Sequence, residues 1–152
     1  MSTPNPRRTT FSFAPPVDNA AAWNLNLDDL ANRLLHAFPG ASATPEGPLG
    51  PRASEGLSFE LPLGGGVWLE GLANMPYPGM GSVMAVMATA DEAAVLARWL
   101  RDSVAPAPDL VYFTSELALD RGDTNYQQIP PQGDREEIAR VLQDHLDHAE
   151  RP

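Results

Sequence analysis

The spacing of the apolar residues changes several times along this chain, and that change constrains the fold more than any other feature. Apolar side chains recur at helical spacing after Asn26, after Thr89 and after Asp134. Between these segments they alternate with polar side chains, which is the pattern of a strand buried on one face. The chain therefore predicts three helices separated by strands.

Each predicted helix begins at a side chain that can accept a hydrogen bond from the first turn. Asn26 has this position before the first apolar stripe. Thr89 and Glu92 have the spacing of a capping box, and Asp134 and Glu137 repeat that spacing. The first stripe consists of Leu27, Leu30, Ala31, Leu34, Leu35 and Phe38.

The predicted strands cover residues 57–63, 67–72, 83–88, 110–114 and 126–129. Gly64, Gly65 and Gly66 allow a tight reversal between the first two of them. Segments 39–55 and 74–81 are rich in Pro and Gly and predict loops. The continuous apolar run 83–88 predicts a central strand that is buried on both faces. The order α-β-β-β-α-β-β-α predicts an α+β fold with a largely antiparallel sheet of about five strands and three helices.

The N-terminal segment of the chain has few apolar residues. Residues 1–22 hold only scattered apolar side chains, so we expect a flexible N-terminal segment followed by a single α+β domain at residues 23–150. Arg7 and Arg8 are followed by Pro15 and Pro16 rather than by the apolar run of a signal peptide. No window contains the roughly 18 apolar residues of a membrane span, and the expected location is cytoplasmic.

The charge balance excludes several function classes. The chain has no Cys and no Lys, and its ten arginines oppose 20 acidic residues for a formal charge of −10. Thiol nucleophiles, disulfides, cysteine-ligated metals and lysine Schiff bases are therefore excluded. Binding to nucleic acid or to an anionic membrane is disfavoured, because both need clustered positive charge. The use of arginine alone, with abundant Ala, Gly and Pro, fits a GC-rich genome of actinobacterial type.

Polar residues provide no recognisable catalytic, metal or cofactor motif. His145 and His148 lie one turn apart on the last helix, but without an HExxH frame we interpret them as structural. Glu60 and Glu70 face each other across the predicted hairpin and are expected to be solvated. Ser115 lacks the small-residue elbow of a hydrolase. We therefore predict no catalytic residue, no metal site and no cofactor.

Soft and aromatic side chains give the strongest indication of a binding surface. Met75, Tyr77 and Met80 lie in the predicted loop, and Trp68 lies on the neighbouring hairpin. Methionine suits adaptable apolar contacts, while Trp and Tyr are frequent interface anchors. We predict that these four residues bind protein. Core packing is the alternative interpretation for Trp68 and for the strand residues Met84 and Met87.

The order of elements over residues 26–149, together with the length and the acidity, resembles the type III secretion chaperone-like and YbjN-like superfamily. The resemblance implies a non-catalytic domain, commonly dimeric, that holds a protein segment along its sheet or helix faces. Small acidic α+β proteins of actinobacterial genomes also resemble toxin-neutralising immunity proteins, in which negative charge complements a basic toxin.

The leading hypothesis is therefore a protein-binding module, chaperone-like or immunity-like, whose partner is another protein of basic charge. A small-molecule-binding or enzymatic domain stays open as an alternative, with Trp68, Tyr112 and Tyr126 lining a pocket between sheet and helices. A homodimer that uses Trp99 or residues 83–88 is the third hypothesis.

Overall fold

The computed structural model describes residues 7–46, 55–77 and 79–150. These residues form an α+β fold around one antiparallel sheet of seven strands, in the order β2-β3-β4-β5-β1-β6-β7. The strands are β1 (Thr9–Ala14), β2 (Ser42–Glu46), β3 (Glu55–Gly64), β4 (Val67–Tyr77), β5 (Met80–Ala88), β6 (Tyr112–Ser115) and β7 (Gln127–Gln128). All paired strands run antiparallel, as the sequence predicts.

The described residues also form four α-helices. They are α1 (Leu27–Ala37), α2 (Ala90–Trp99), α3 (Glu116–Asp120) and α4 (Arg135–Glu150). The predicted caps are confirmed: the Asn26 side chain accepts from the amide of Asp29, and Thr89 and Glu92 form a complete capping box. A π-helical turn, Leu100–Val104, continues α2.

The sheet has seven strands rather than about five, and four α-helices are present rather than three. The added elements are β1, β2 and α3. These elements are short: Thr9–Ala14 has 6 residues, Ser42–Glu46 has 5 and Glu116–Asp120 has 5. Elements this short carry too few turns or alternations to stand out from loop composition.

Strand β1 lies between β5 and β6, in the interior of the sheet. Its buried side chains are Thr9, Phe11 and Phe13, and they alternate with half-buried Thr10 and Ser12. For residues 9–14, this placement differs from the expectation of a flexible segment at residues 1–22, and residues 1–6 of that segment lie outside the described residues. Two alternating phenylalanines are enough to hold β1 in the sheet, because the strands on both sides of it, β5 and β6, supply the rest of the core.

Two predicted loops are shorter in the structure. Strand β2 forms within segment 39–55 at the edge of the sheet, where Pro45 is tolerated because an edge residue need not donate to a ladder. Residues 47–54 of that segment lie outside the described residues. In segment 74–81, β4 continues to Tyr77 and β5 begins at Met80, with an irregularity in the pairing beyond Asn74.

The hydrophobic core lies between the helices and one face of the sheet. Phe11, Phe13 and Phe113 are fully buried there together with Leu34 of α1 and Leu142 of α4. The small side chains of Ala93 and Ala94 allow α2 to pack closely against this core. Helix α2 also packs against α4. The residues of β5 that point the other way, Met84 and Val86, are only half-buried. Strand β5 is therefore central, but it is not buried on both faces as predicted.

Candidate protein-binding surface

The face of β3, β4 and β5 that points away from the core is the candidate site, and we call it the open face. Its residues alternate with core residues along each strand, so their position follows from the two-residue period of a strand. None of them is fully buried. The open face consists of Ser58, Glu60, Pro62, Trp68, Glu70, Leu72, Asn74, Ser82, Met84 and Val86.

Large apolar side chains cross the middle of the open face. Leu72 pairs with Met84 across β4 and β5, and Val86 lies two residues further along β5. Trp68 lies near the start of β4 and is 55% exposed. An antiparallel sheet with one solvated face usually places polar residues there. We call Trp68, Leu72, Met84 and Val86 the apolar stripe. Trp68 is exposed and the other three are half-buried, so no layer of the described residues fully covers them.

Two carboxylates lie directly beside this stripe. Glu60 and Glu70 are opposite each other in the register of β3 and β4, and Glu70 is also opposite Val86. Directly opposed side chains have Cβ atoms about 4.5–5.5 Å apart, and like charges at that spacing destabilise a sheet. Among the described residues, neither carboxylate forms an ion pair. We call Glu60 and Glu70 the acidic pair.

A groove of about 370 Å³ opens at the end of this face where β4 meets β5. Tyr77 and Tyr126 line it from different parts of the chain. Met80, the first residue of β5, also lines it and pairs with Tyr77. Tyr77 is 54% exposed, so much of its ring is available for contact. We call it the tyrosine groove, and its lining includes Ala14, Val17, Tyr77, Met80, Ser82 and Tyr126.

A bulge brings a further apolar side chain to the surface at the opposite end of β5. The pairing of β1 with β5 is irregular between Thr9 and Phe11, and Met87 has a φ of 45°. Thr10 Oγ1 accepts a hydrogen bond from the amide of Met87 at 3.2 Å, which holds this left-handed conformation. The Met87 side chain is 55% exposed. Unbranched residues adopt such a φ only when the surrounding structure holds them there.

The structure separates the four residues predicted to bind protein. Tyr77 and Met80 line the tyrosine groove, whereas Trp68 lies nine residues from Tyr77 along β4, a distance of about 30 Å in an extended strand. Met75 is half-buried and packs against the core.

The site residues that the sequence analysis did not identify are Leu72 and Tyr126. Alternation along β4 would have found Leu72, but no sequence pattern places Tyr126 beside Tyr77.

A second polar arrangement lies on the helix side of the sheet. His145 Nε2 is 2.8 Å from Ser115 Oγ, and His145 Nδ1 is 2.8 Å from Gln127 Oε1. Because the Gln127 oxygen can only accept, Nδ1 donates to it and Nε2 accepts from the serine hydroxyl. Burial lowers the pKa of His145 below its usual 6.5, the neighbouring charge of Asp123 raises it to a smaller degree, and His148 lowers it further.

Ser115, His145 and Gln127 are hydrogen-bonded in the same sequence as the three residues of a catalytic triad, but their geometry suits a structural role. Ser115 is fully buried, and its hydroxyl also accepts from the amide of Ala118 as the cap of α3. The neighbouring amide of Leu117 already donates to Thr9 Oγ1. A nucleophile needs access to substrate and a donor for the developing oxyanion. The network instead ties β6, β7 and α4 together.

The three residues predicted to line a pocket between sheet and helices do not share the lining of the tyrosine groove. Tyr126 lines the tyrosine groove at the open face, and Trp68 and Tyr112 are not part of that lining. Within residues 7–46, 55–77 and 79–150, no group of three or more His, Cys, Asp or Glu side chains is arranged to hold a metal ion. In that same part of the chain, no helix has the length and apolar character needed to cross a membrane.

Comparison of the chain with protein-family models, with curated proteins and with solved structures found no match in any of the three.

Proposed function

We propose that this protein is a non-enzymatic protein-binding module that holds a basic protein partner on its open face. The observation that carries the proposal is the apolar stripe directly beside the acidic pair, whose carboxylates have no ion-pair partner within residues 7–46, 55–77 and 79–150. Apolar area supplies affinity, while carboxylates without a cation supply a place for the partner's Arg or Lys side chains.

Charge favours a different protein over a second copy of the chain. Each copy has a formal charge of −10, so pairing two open faces would bring two acidic pairs together and increase repulsion. A basic partner is instead attracted both to the negative charge of the chain and to its acidic pair, and it associates faster at low salt. The immunity-like resemblance implies a basic partner, and the chaperone-like resemblance implies a protein segment held along a sheet or helix face.

Site-specific photo-cross-linking tests the proposal. A photoreactive phenylalanine replaces Met84 on the open face, and a matched control replaces Arg140 on the exposed side of α4. Both variants are incubated with extract of the source cells, and cross-linked proteins are identified by mass spectrometry. We expect a basic protein to cross-link at position 84 and not at position 140. Equal cross-linking at both positions, or cross-links only between copies of the chain, would overturn the proposal.

A further inference from the structure

We infer that the segment of the partner that occupies the open face is a basic amphipathic helix, an inference that rests on the proposed function. The first argument concerns backbone hydrogen bonds. Strand β4 pairs with β3 and β5, and strand β5 pairs with β4 and β1. The backbone groups under the apolar stripe therefore already have partners within the sheet.

An extended segment laid over these strands would leave its own amides and carbonyls against Leu72 and Met84. Backbone polar groups that are buried without partners are costly, and strand addition needs a free sheet edge. A helix satisfies its backbone internally and presents only side chains. The central part of the open face therefore accepts a helix and disfavours a strand.

Two features on the open face set the position and the length of this helix. The acidic pair lies at Glu70 on β4, and the same strand lines the tyrosine groove with Asn74, Pro76 and Tyr77, so that Pro76, in the middle of this lining, is six residues from Glu70. Six strand residues span about 20 Å. A helix rises 1.5 Å per residue, so about 13 residues connect the two features. Leu72 and Met84 lie between them and would contact apolar residues at i, i+3, i+4 and i+7.

The chemistry of each feature specifies the residues of the partner helix. Arg or Lys near one end pairs with Glu60 and Glu70 and removes their mutual repulsion. An aliphatic or aromatic side chain near the other end enters the groove between Tyr77 and Tyr126, whose volume of about 370 Å³ accommodates one large side chain. The inferred ligand is thus a basic helix with one continuous apolar face.

Selection from a displayed library of random 18-residue peptides tests this inference on the full chain. The same library is selected in parallel on wild type, on Glu60→Gln/Glu70→Gln, and on the control Glu136→Gln/Asp144→Asn. The control removes two charges from exposed residues of α4. Both double variants change net charge equally, so the comparison separates the acidic pair from general attraction between opposite charges.

We expect enriched peptides to be basic, to carry apolar residues at helical spacing, and to gain helical circular dichroism on binding. Their affinity should fall about tenfold on Glu60→Gln/Glu70→Gln and change less than about twofold on the control. Peptides that depend on the acidic pair but contain proline or strand alternation would overturn the helix and leave the proposed function standing. Absence of any peptide that depends on the open face would overturn both.

Discussion

Single residues show where packing within the chain is complete and where it is not. Thr114 in β6 is fully buried, and its Oγ1 has no hydrogen-bond partner among the described residues. A buried hydroxyl without a partner loses its hydration and gains nothing in return.

At Gly71, by contrast, packing is complete, because a Cβ added there would lie 2.1 Å from ring atoms of Phe59. Glycine at this position allows the phenylalanine ring to pack against the sheet.

Replacing Thr114 by Val should raise the free energy of unfolding by about 1 kcal/mol, because Val has a similar shape and no hydroxyl to bury. Denaturant unfolding followed by circular dichroism measures the change. Thr10→Val is the matched control, since Thr10 Oγ1 accepts from Met87 and its loss should destabilise. A fall in stability with Thr114→Val would show that its hydroxyl has a partner.

Replacing Gly71 by Ala should lower the free energy of unfolding by about 1–3 kcal/mol, the usual cost of forcing extra volume into a packed core. Differential scanning calorimetry gives the shift in melting temperature. Gly71→Ala combined with Phe59→Leu should recover part of the loss, because the smaller side chain leaves room for the new methyl group. If the double variant is no more stable than Gly71→Ala, the ring of Phe59 is not the obstacle.

At the level of elements, the Ser115–His145–Gln127 network joins β6, β7 and α4 and makes their stability depend on pH. The pKa of His145 in the folded chain lies below its usual 6.5, chiefly because of burial. At a pH above 6.5 the ring is neutral in both states, and its contribution to stability is complete. As the pH falls below that value, the unfolded chain binds a proton at His145 before the folded chain does, so stability decreases.

The free energy of unfolding should therefore decrease from about pH 7 to about pH 5, and His145→Gln should flatten this dependence. The groups facing the ring that contribute are Asp123 and His148. Unfolding curves at several pH values give the slope for wild type, for His145→Gln and for the control His36→Gln, whose site is exposed on α1. An unchanged slope in His145→Gln would contradict the assignment.

Strand β1 provides an element-level test of the fold. Phe13→Ala should cost about 3–5 kcal/mol because it leaves a cavity beside Val83 and Phe113, which pair with it on either side. Phe38→Ala, at a half-buried position after α1, should cost less. Chemical denaturation compares the two variants. Equal stability of Phe13→Ala and wild type would indicate that the N-terminal segment is free, as its composition predicts.

Much of the element order was predictable because it depends on local patterns. The capping box at Thr89 and the reversal at Gly64, Gly65 and Gly66 are local features, and all three glycines have positive φ. The position of β1 was not predictable, because a short Phe11–Phe13 alternation becomes a central strand only through pairing with distant β5 and β6. The other missed strand, β2, pairs with the next strand, β3, but its five residues include a proline and have the composition of a loop.

The candidate site was predictable only in part, for a related reason. Tyr77 and Met80 are close in sequence and lie together in the groove, but Tyr126 reaches it through long-range packing. Met84 and Met87 had core packing as an alternative interpretation. That alternative does not hold for Met87, which is exposed because the bulge at the end of β5 interrupts the alternation of buried Val83 and Ala85.

For the whole molecule, the central point is that the buried side chains of β3, β4 and β5 lie on one side of the sheet, while the other side of these strands carries the apolar stripe and the acidic pair. The chain contains five methionines, and their methyl groups report on both sides. Met80 and Met84 lie on the side of the open face, and Met75 packs against the core. Met1 lies outside the described residues.

Methyl NMR of the full chain labelled at methionine tests the central claim most directly. The ligand is the peptide most enriched on wild type without any counter-selection, and single Met→Leu variants assign each signal. The proposed surface predicts saturable shifts at Met80 and Met84 with little change at Met75. Saturable binding that shifts Met75 and leaves Met80 and Met84 unchanged would contradict the assignment of the open face as the binding surface.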